Sequence, residues 1–502
     1  QSEVRRVTKP GWRSLGVDGW LRLTAVAVLA LATAACQTNA ATGRQQFLTM
    51  SAAQEQAIGD REHPKLVQAF GGEFDNRAIE DYVTQVGKSL DVFAETTDIT
   101  YSYTVLDSEI ANAFALPGGY VHISRGLMAL MNNEAELASV LAHEVGHITG
   151  RHSNERFSRG TAAQLGVFAA AVLTGSSQVA QVANTGAQLY LAGYSRSQES
   201  ESDRLGLRYM NAAGYDPAAM ATMLSQLGRN SEILAKAAGR EVSQQFDMLS
   251  THPQTPQRVA DATNAAAAIP NPGQTVRRNT FLSKIDGMPF GPSAEAGAIR
   301  GQRYGNIVDD VFWSAPEGFK LGAGSSNSVR VNGPDGTFVL YDRVKYEESL
   351  SPQAFLVDVW GQKYSLLGVE TVDVNGFTGA TGYLRDVRTR GGARDVRLMA
   401  IGLGGGNYAR FVLYTKPEAT ARMDRPLQDL VYSFRRLRGN EEAEFRPQRI
   451  RVVTVASGDT VSSLSRRMAV DSLAEDWFRT INGLNPGEGL QAGQNVKLIV
   501  NG

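Results

Sequence analysis

A single cysteine in 502 residues rules out an intramolecular disulfide and any thiolate cluster that needs several sulfurs. There is no charge surplus either: 50 Lys and Arg face 51 Asp and Glu, a formal net charge of -1. Nucleic-acid binders carry a basic excess, so no nucleic-acid partner is expected. Beyond the N-terminal region, no stretch approaches the roughly 20 apolar residues of a membrane-crossing helix. Histidine is scarce, with six in all. A metal site in this chain must therefore be built from His, Asp and Glu. Three of the six histidines, His143, His147 and His152, fall within ten residues.

What is present is ordinary globular material, 42% hydrophobic and 20% charged, long enough for about three domains. The N-terminus is an exception. Arg5, Arg6, Lys9, Arg13 and Arg22 precede or open "LRLTAVAVLALATAAC", an apolar run of about fourteen residues, too short to span a bilayer and typical of a secretory signal. Cys36 follows "TAA", where a bacterial lipoprotein signal places its lipidated cysteine, although Thr33 stands where leucine is usual. We expect a lipoprotein-type signal over 1–36, a lipid on Cys36 and a periplasmic chain anchored to the outer membrane, with which Gln37 is compatible.

Residues 44–270 read as mostly helical. In 76–95, Ile79, Tyr82, Val83, Val86 and Leu90 recur at helical spacing. Residues 99–108 alternate like a strand, and 112–128 read as a hairpin turning at Pro117-Gly118-Gly119. An Ala-rich stretch, 161–193, reads as a buried helix pair in preference to a lipid-touching hairpin. A linker is expected over 264–279, then an α+β domain over 280–440, a charged connector, and a last unit over 451–502.

The heptapeptide "LAHEVGH" (141–147) carries the chemistry. Residues four apart share a helix face, so His143 and His147 can hold one ion, and Glu144, turned by about 100°, is placed to take a proton from water at that ion. Such a site needs a third ligand and gains from a carboxylate that orients a ligand imidazole. In "SRSQESESD" (195–203) Glu199 and Asp203 lie on one helix face and fit these two needs, while Glu201 points away and reads as part of a solvated acidic face.

"NAFALPGG", "LAHEVGHITGRH", "SRSQESESD" and "STHPQTPQR" appear in the order and spacing of the gluzincin peptidases that include CAAX prenyl endopeptidase and HtpX. The chain is most similar to the periplasmic BepA branch, which serves outer-membrane protein quality control. The resemblance implies one Zn2+ per chain bound by His143, His147 and Glu199, with Glu144 as catalytic base. Asp203 falls on the family's acidic position four residues after the ligand Glu. Asn112 and Ala113 match the strand on which the family lays its substrate backbone. His252 matches a histidine that stabilises the oxyanion or fills the open metal position in a latent state; the alternative is a loop histidine fixing the turn before Pro253. His152 is read as pairing within the helix end, and His63 and His122 as structural. Ser202 departs from the family's usual Ala. No helical repeat of the BepA kind is read in these residues, so a different partner-binding surface is expected.

"SGDTVSSLSRRM", "INGL" and "LQAGQNVKLI" give the last unit a resemblance to LysM, a βααβ module that binds peptidoglycan. "FLSKIDGMPFG", "AIRGQRY" and "FWSAPEGFKL" give the middle unit a resemblance to PsbP/MOG-like domains, and its lack of histidine suits an interaction role. The expected fold is multidomain α+β: a mainly helical zincin domain with a small edge sheet, then an α+β domain, then a βααβ module. The expected function is envelope protein quality control by a zinc endopeptidase acting on unfolded or misassembled envelope polypeptides. Two competing readings are a LysM-directed peptidoglycan peptidase and a chaperone-like assembly factor with a latent zinc site.

Overall fold

A computed structural model describes residues 36–96, 99–158, 193–238, 252, 256–323, 328–389, 391–470 and 472–502. The N-terminal basic and apolar run, and all but the last residue of the Ala-rich stretch, lie outside the described residues. Among the described residues, no helix is long and apolar enough to cross a membrane.

The first unit opens with a hairpin, β1 (Cys36–Thr38) and β2 (Gln45–Phe47), followed by helices α1 (Ala52–Ala69) and α2 (Arg77–Asp91). The expected apolar face of α2 is the buried one: Ile79, Tyr82, Val83, Val86 and Leu90 all point into the core, and Asn76 caps the helix by accepting from the Ile79 amide. Strands β3 (Ser102–Leu106), β4 (Ala113–Leu116) and β5 (Tyr120–Ser124) form a sheet in the order β3-β5-β4. β4 runs antiparallel to β5 and β3 parallel to it. The turn between β4 and β5 needs φ of 86° and 97° at Gly118 and Gly119, where a side chain would strain the backbone. Helices α3 (Arg125–Leu130), α4 (Glu134–Thr149), α5 (Arg196–Ala212), α6 (Ala218–Ala238) and α7 (Pro256–Ala267) complete the unit's sequence order.

Helix α8 (Arg278–Ile285) and the short β6 (Pro289–Phe290) come next. Beyond them, strands β7 (Ala298–Arg300), β8 (Arg303–Asn306) and β9 (Val311–Ser314) make a small antiparallel sheet. A larger sheet combines β10 (Lys320–Ala323), β11 (Val329–Asn332), β12 (Phe338–Lys345), β13 (Leu367–Val374), β14 (Phe377–Thr389), β15 (Gly392–Gly404) and β16 (Asn407–Thr415) in the order β10-β11-β12-β16-β15-β14-β13. All its neighbours are antiparallel. Helix α9 (Thr420–Tyr432) covers one face with Met423, Leu427, Leu430 and Val431. Phe355 and Leu356 pack in a second apolar cluster with Ala380, Val396, Leu398, Ala400 and Tyr408. The last unit runs β17 (Gln448–Thr454), α10 (Val461–Ser465), α11 (Ala474–Asn482) and β18 (Asn495–Asn501).

The sequence reading draws its middle unit from residue 280 and treats 451–502 as separate, and the packing differs at both places. Phe281, Leu282 and Ile285 of α8 belong to the same apolar core as the first unit, and so do Ile450, Phe478, Ile481, Val496, Leu498 and Ile499. β6 adds an edge to the sheet β18-β17-β6. Hydrophobic runs of this length must be covered, and here each covers the other. The junction is sealed by Lys497, a fully buried side chain. Its Nζ donates to the Ala129 carbonyl at 2.8 Å and to the Met131 carbonyl.

Two outcomes follow from this packing. Lys497→Ala removes a buried donor from two carbonyls, which should cost about 1–3 kcal/mol. The drop is readable as a lower melting temperature of the whole first unit, and an unchanged midpoint would contradict the shared core. The second concerns His122, whose Nε2 lies 2.9 Å from His63 Nδ1 and whose ring stacks on Phe114. Complete burial holds His122 down at about 3. The unfolded chain takes up this proton near 6.5, so the contribution is whole above that pH and lost as pH falls toward 3. In His122→Phe the slope of stability against pH should shrink by up to about 1.4 kcal/mol per pH unit in that window, as read by denaturant titrations.

Candidate metal centre

Two helices hold the chemistry, and small residues let them meet. A Cβ on Gly146 of α4 is already only 3.0 Å from the Ser202 carbonyl of α5 when built as the smallest side chain, and one on Gly206 would sit 3.1 Å from the His143 amide nitrogen. Asn133 caps α4 by accepting from the Glu136 amide, and a Ser195–Gln198 capping box starts α5. Both helices are thus fixed at their N-terminal ends, upstream of the residues that matter.

His143, His147, Glu199 and His252 converge there, with one ligand atom from each lying within 4.8 Å of all the others. His143 Nε2 and His147 Nε2 are 3.0 Å apart, and His147 Nε2 is 3.3 Å from Glu199 Oε1. His252 Nδ1 lies 3.0 Å from Glu199 Oε1 and 3.3 Å from His143 Nε2. Tetrahedral ligand atoms at 2.0–2.1 Å from zinc stand about 3.3 Å apart, so the donor set matches a zinc ion in size and in chemistry. The structure brings together His143, His147 and Glu199, as expected, and places His252 as a fourth donor.

Glu144 is fully buried, and neither of its carboxylate oxygens has a hydrogen-bond partner among the described residues; His252 Nε2 stands 3.6 Å from Oε1. Burial pushes the Glu144 carboxyl up. Burial works against the charges of Glu199 and His252 as well. Even so, the surrounding imidazoles, His252 first, hold Glu199 well below the usual carboxylate range, and Glu199 and Glu144 hold His252 above the usual imidazole range. Asp203 lies 2.9 Å from His143 Nδ1, the ring nitrogen turned from the donor cluster.

Asn112, just before β4, and Ala113, its first residue, are buried, and β4 is one of the two edge strands of the small sheet. The Asn112 amide donates to Ser124 Oγ, and the Asn112 carbonyl accepts from the Ser124 amide. Cys36 begins β1, paired in register with Phe47. The reading of Glu201 as a solvated residue fails: it is 6% exposed. The side of α5 that points away from α4 meets the β1–β2 hairpin instead of water, and Glu201 accepts from Arg44 there. Arg258 escaped the sequence reading. It donates through Nε and Nη2 to both Asp203 oxygens and lies 2.6 Å from Glu199 through Nη1. Its one signal was its place at the end of "STHPQTPQR", six residues after His252.

Residues 75–266 match the profile of peptidase family M48. This segment belongs to that family. Beta-barrel assembly-enhancing protease of Yersinia pestis is 32% identical over 249 residues, 48% of this chain and 49% of that protein. The protein of the same name from Escherichia coli K12 is 29% identical over 43% of this chain and 45% of its own length. The mitochondrial metalloendopeptidase OMA1 of Schizosaccharomyces pombe is 33% identical over 36% and 50%. The chain spans about half the length of these curated relatives. Among solved structures, cyanobacterial PsbP from Synechocystis has a TM-score of 0.22 at 15% identity over 28% of this chain and 95% of that one. Mog1p of Saccharomyces cerevisiae has a TM-score of 0.21 at 12% over 28% and 96%.

The donor set of the M48 segment makes a direct prediction about metal retention. Glu199→Ala removes a donor, and its loss should exceed that of Asp203→Asn, which frees only a ligand's supporting bond and costs about 10–100-fold in zinc affinity. Competition with a chelator measures both, and zinc held equally well by Glu199→Ala and the unaltered protein would refute the donor set.

Proposed function

We propose that this chain is a zinc endopeptidase of the bacterial cell envelope that hydrolyses peptide bonds in misfolded or stalled envelope proteins. The observation that carries this is a buried carboxylate without a hydrogen bond, Glu144, beside three converging donors on two locked helices. Zinc held by His143, His147 and Glu199 would supply a Lewis acid that polarises a carbonyl and makes water more acidic. Glu144 takes the proton of the attacking water and hands it to the departing amine, a role suited to a carboxyl whose burial has raised its proton affinity. Asp203 fixes the His143 ring through Nδ1, and Arg258 keeps Asp203 and Glu199 in place. β4, with Asn112 and Ala113 at its start, offers the edge on which an extended substrate adds as a strand.

His252 supports a latent state of the same site. Its Nδ1 stands among the donors, in the position a substrate carbonyl must reach. Cleavage requires that the ring leave the donor cluster. This geometry also favours the second reading, an assembly factor whose zinc site stays closed. Envelope placement rests on the relatives named for β-barrel assembly and on the signal-like N-terminus with Cys36 as lipid anchor. A peptidoglycan partner for the last unit is supported by its β-α-α-β order. It is also supported by a cleft of about 530 Å³ lined by Asn485 and Gln494 of the last unit and by Asn132, Gln226 and Arg229 of the first.

Zinc-loaded protein should cut unfolded outer-membrane polypeptide, and Glu144→Gln should lower the rate by at least about 100-fold. His252→Ala should raise the rate of the unaltered enzyme. Cleavage of muropeptides alone would shift the substrate class to peptidoglycan. Absence of Glu144-dependent cleavage from both the unaltered protein and His252→Ala would overturn the enzyme reading.

A further inference from the structure

We infer that Arg44, in the N-terminal hairpin and outside the M48-matched residues, is a positioning residue for the metal ligand His147, acting through Glu201 and His152. This rests on the reading of His143, His147 and Glu199 as zinc ligands.

The two ligand histidines are supported differently. His143 Nδ1 meets a carboxylate, Asp203, directly. His147 Nδ1 meets another imidazole, His152 Nδ1, at 2.9 Å. His152 Nε2 then lies 2.9 Å from Glu201 Oε2. Arg44 closes the chain with Nη2 at 2.9 Å from that oxygen and Nε at 3.3 Å from Glu201 Oε1, and it also donates to both oxygens of Glu155 at 2.9 Å. His147, His152, Glu201 and Glu155 are each 6% exposed or less. When His147 binds metal through Nε2, its neutral ring carries the proton on Nδ1. Among the described residues the acceptor for that proton is His152 Nδ1, so His152 carries its own proton on Nε2 and donates it to Glu201. Every tautomer in the chain is then fixed, and the carboxylate that anchors it is itself held by one guanidinium.

The local backbone is shaped for this relay. Arg151 adopts a left-handed φ of 52°, an uncommon conformation for a non-glycine residue, and so turns the chain back after α4. Gly150 leaves room for the returning ring: a Cβ there would lie 2.6 Å from His152 Nε2. The hairpin grips the same turn, since Asn39 Nδ2 donates to the Thr149 carbonyl at 2.8 Å and Gln46 Nε2 to the Gly150 carbonyl at 2.7 Å. Gln198 Nε2, 3.3 Å from Glu155 Oε2, ties the start of α5 to the Arg44 pair. A bare electrostatic need of Glu201 would not require a donor from 157 residues upstream; the geometry makes the hairpin part of the support of the metal centre.

The test is zinc retention by the full-length protein, measured by competition with a chelator, independent of any activity. Arg44→Met should weaken zinc binding about 10–100-fold, and Arg44→Lys, which cannot bridge two carboxylates in bidentate fashion, should fall between. In a His152→Phe background, Arg44→Met should cause no further loss, because the connection to His147 is already cut. Unchanged zinc affinity in Arg44→Met, or losses that add in full in the double variant, would overturn the inference. If Arg44→Met does not fold, Arg44→Lys alone and in the His152→Phe background decides by the same two criteria. Glu199→Ala run alongside separates the failures: zinc retained there would sink the underlying ligand assignment, whereas zinc lost there but not in the Arg44 variants would sink only the relay.

Discussion

The close approach of α4 and α5 is the constraint on which the centre depends. His143 and His147 come from one helix and Glu199 from the other, so their spacing is set by the distance between two helix axes. Gly146 and Gly206 hold that distance down, each facing backbone of the opposite helix so closely that a methyl group would force the helices apart by a few tenths of an ångström. Glycine in a helix interior costs up to about 1 kcal/mol relative to alanine. The cost is met by the packing it permits, and the same packing removes water from Glu144 and Glu199. Burial then does the electrostatic work: a carboxyl without a hydrogen bond is pushed toward its protonated form, while one ringed by imidazoles is held charged.

Much of this was legible in the sequence because it is local. A four-residue histidine spacing on a helix, a carboxylate four residues before another, and a proline-glycine-glycine turn are patterns of one element. The α2 stripe from Ile79 to Leu90 was readable for the same reason. What was not legible depends on a second element coming alongside. Glu201 looked solvent-facing because helical geometry puts it opposite α4, and nothing in 195–210 announces that a hairpin from residues 36–47 covers that side. Arg258 was hidden by its position on a helix whose relation to α5 exists only in three dimensions. His152, read as pairing at the helix end, does so, but that its partner is the ligand His147 depends on the backbone reversal at Arg151.

The boundary of the middle unit was missed on similar grounds. Composition changes near 264–279, but α8 lies beyond that change and still buries Phe281, Leu282 and Ile285 in the first core. A linker-like composition marks exposed chain; it does not say on which side of it the next apolar face will be buried. The middle unit itself, an antiparallel sheet with α9 across one face, was recognisable from its alternating strands, which need only neighbours close in sequence for most of their pairings.

The pairing of Phe290 with Gln448 gives the architecture a kinetic meaning. These two residues bracket the entire middle unit, so that unit is an insertion into a core built from both sides of it, and Lys497 reaches back 368 residues to the Ala129 carbonyl. Closing so long a loop in an unstructured chain carries an entropic penalty that grows by about 0.6 kcal/mol with each doubling of length. A middle unit that folds first brings its two ends near each other and removes most of that penalty in advance. The first core is complete only when chain from both sides of the insertion, the strand carrying Lys497 included, has come together.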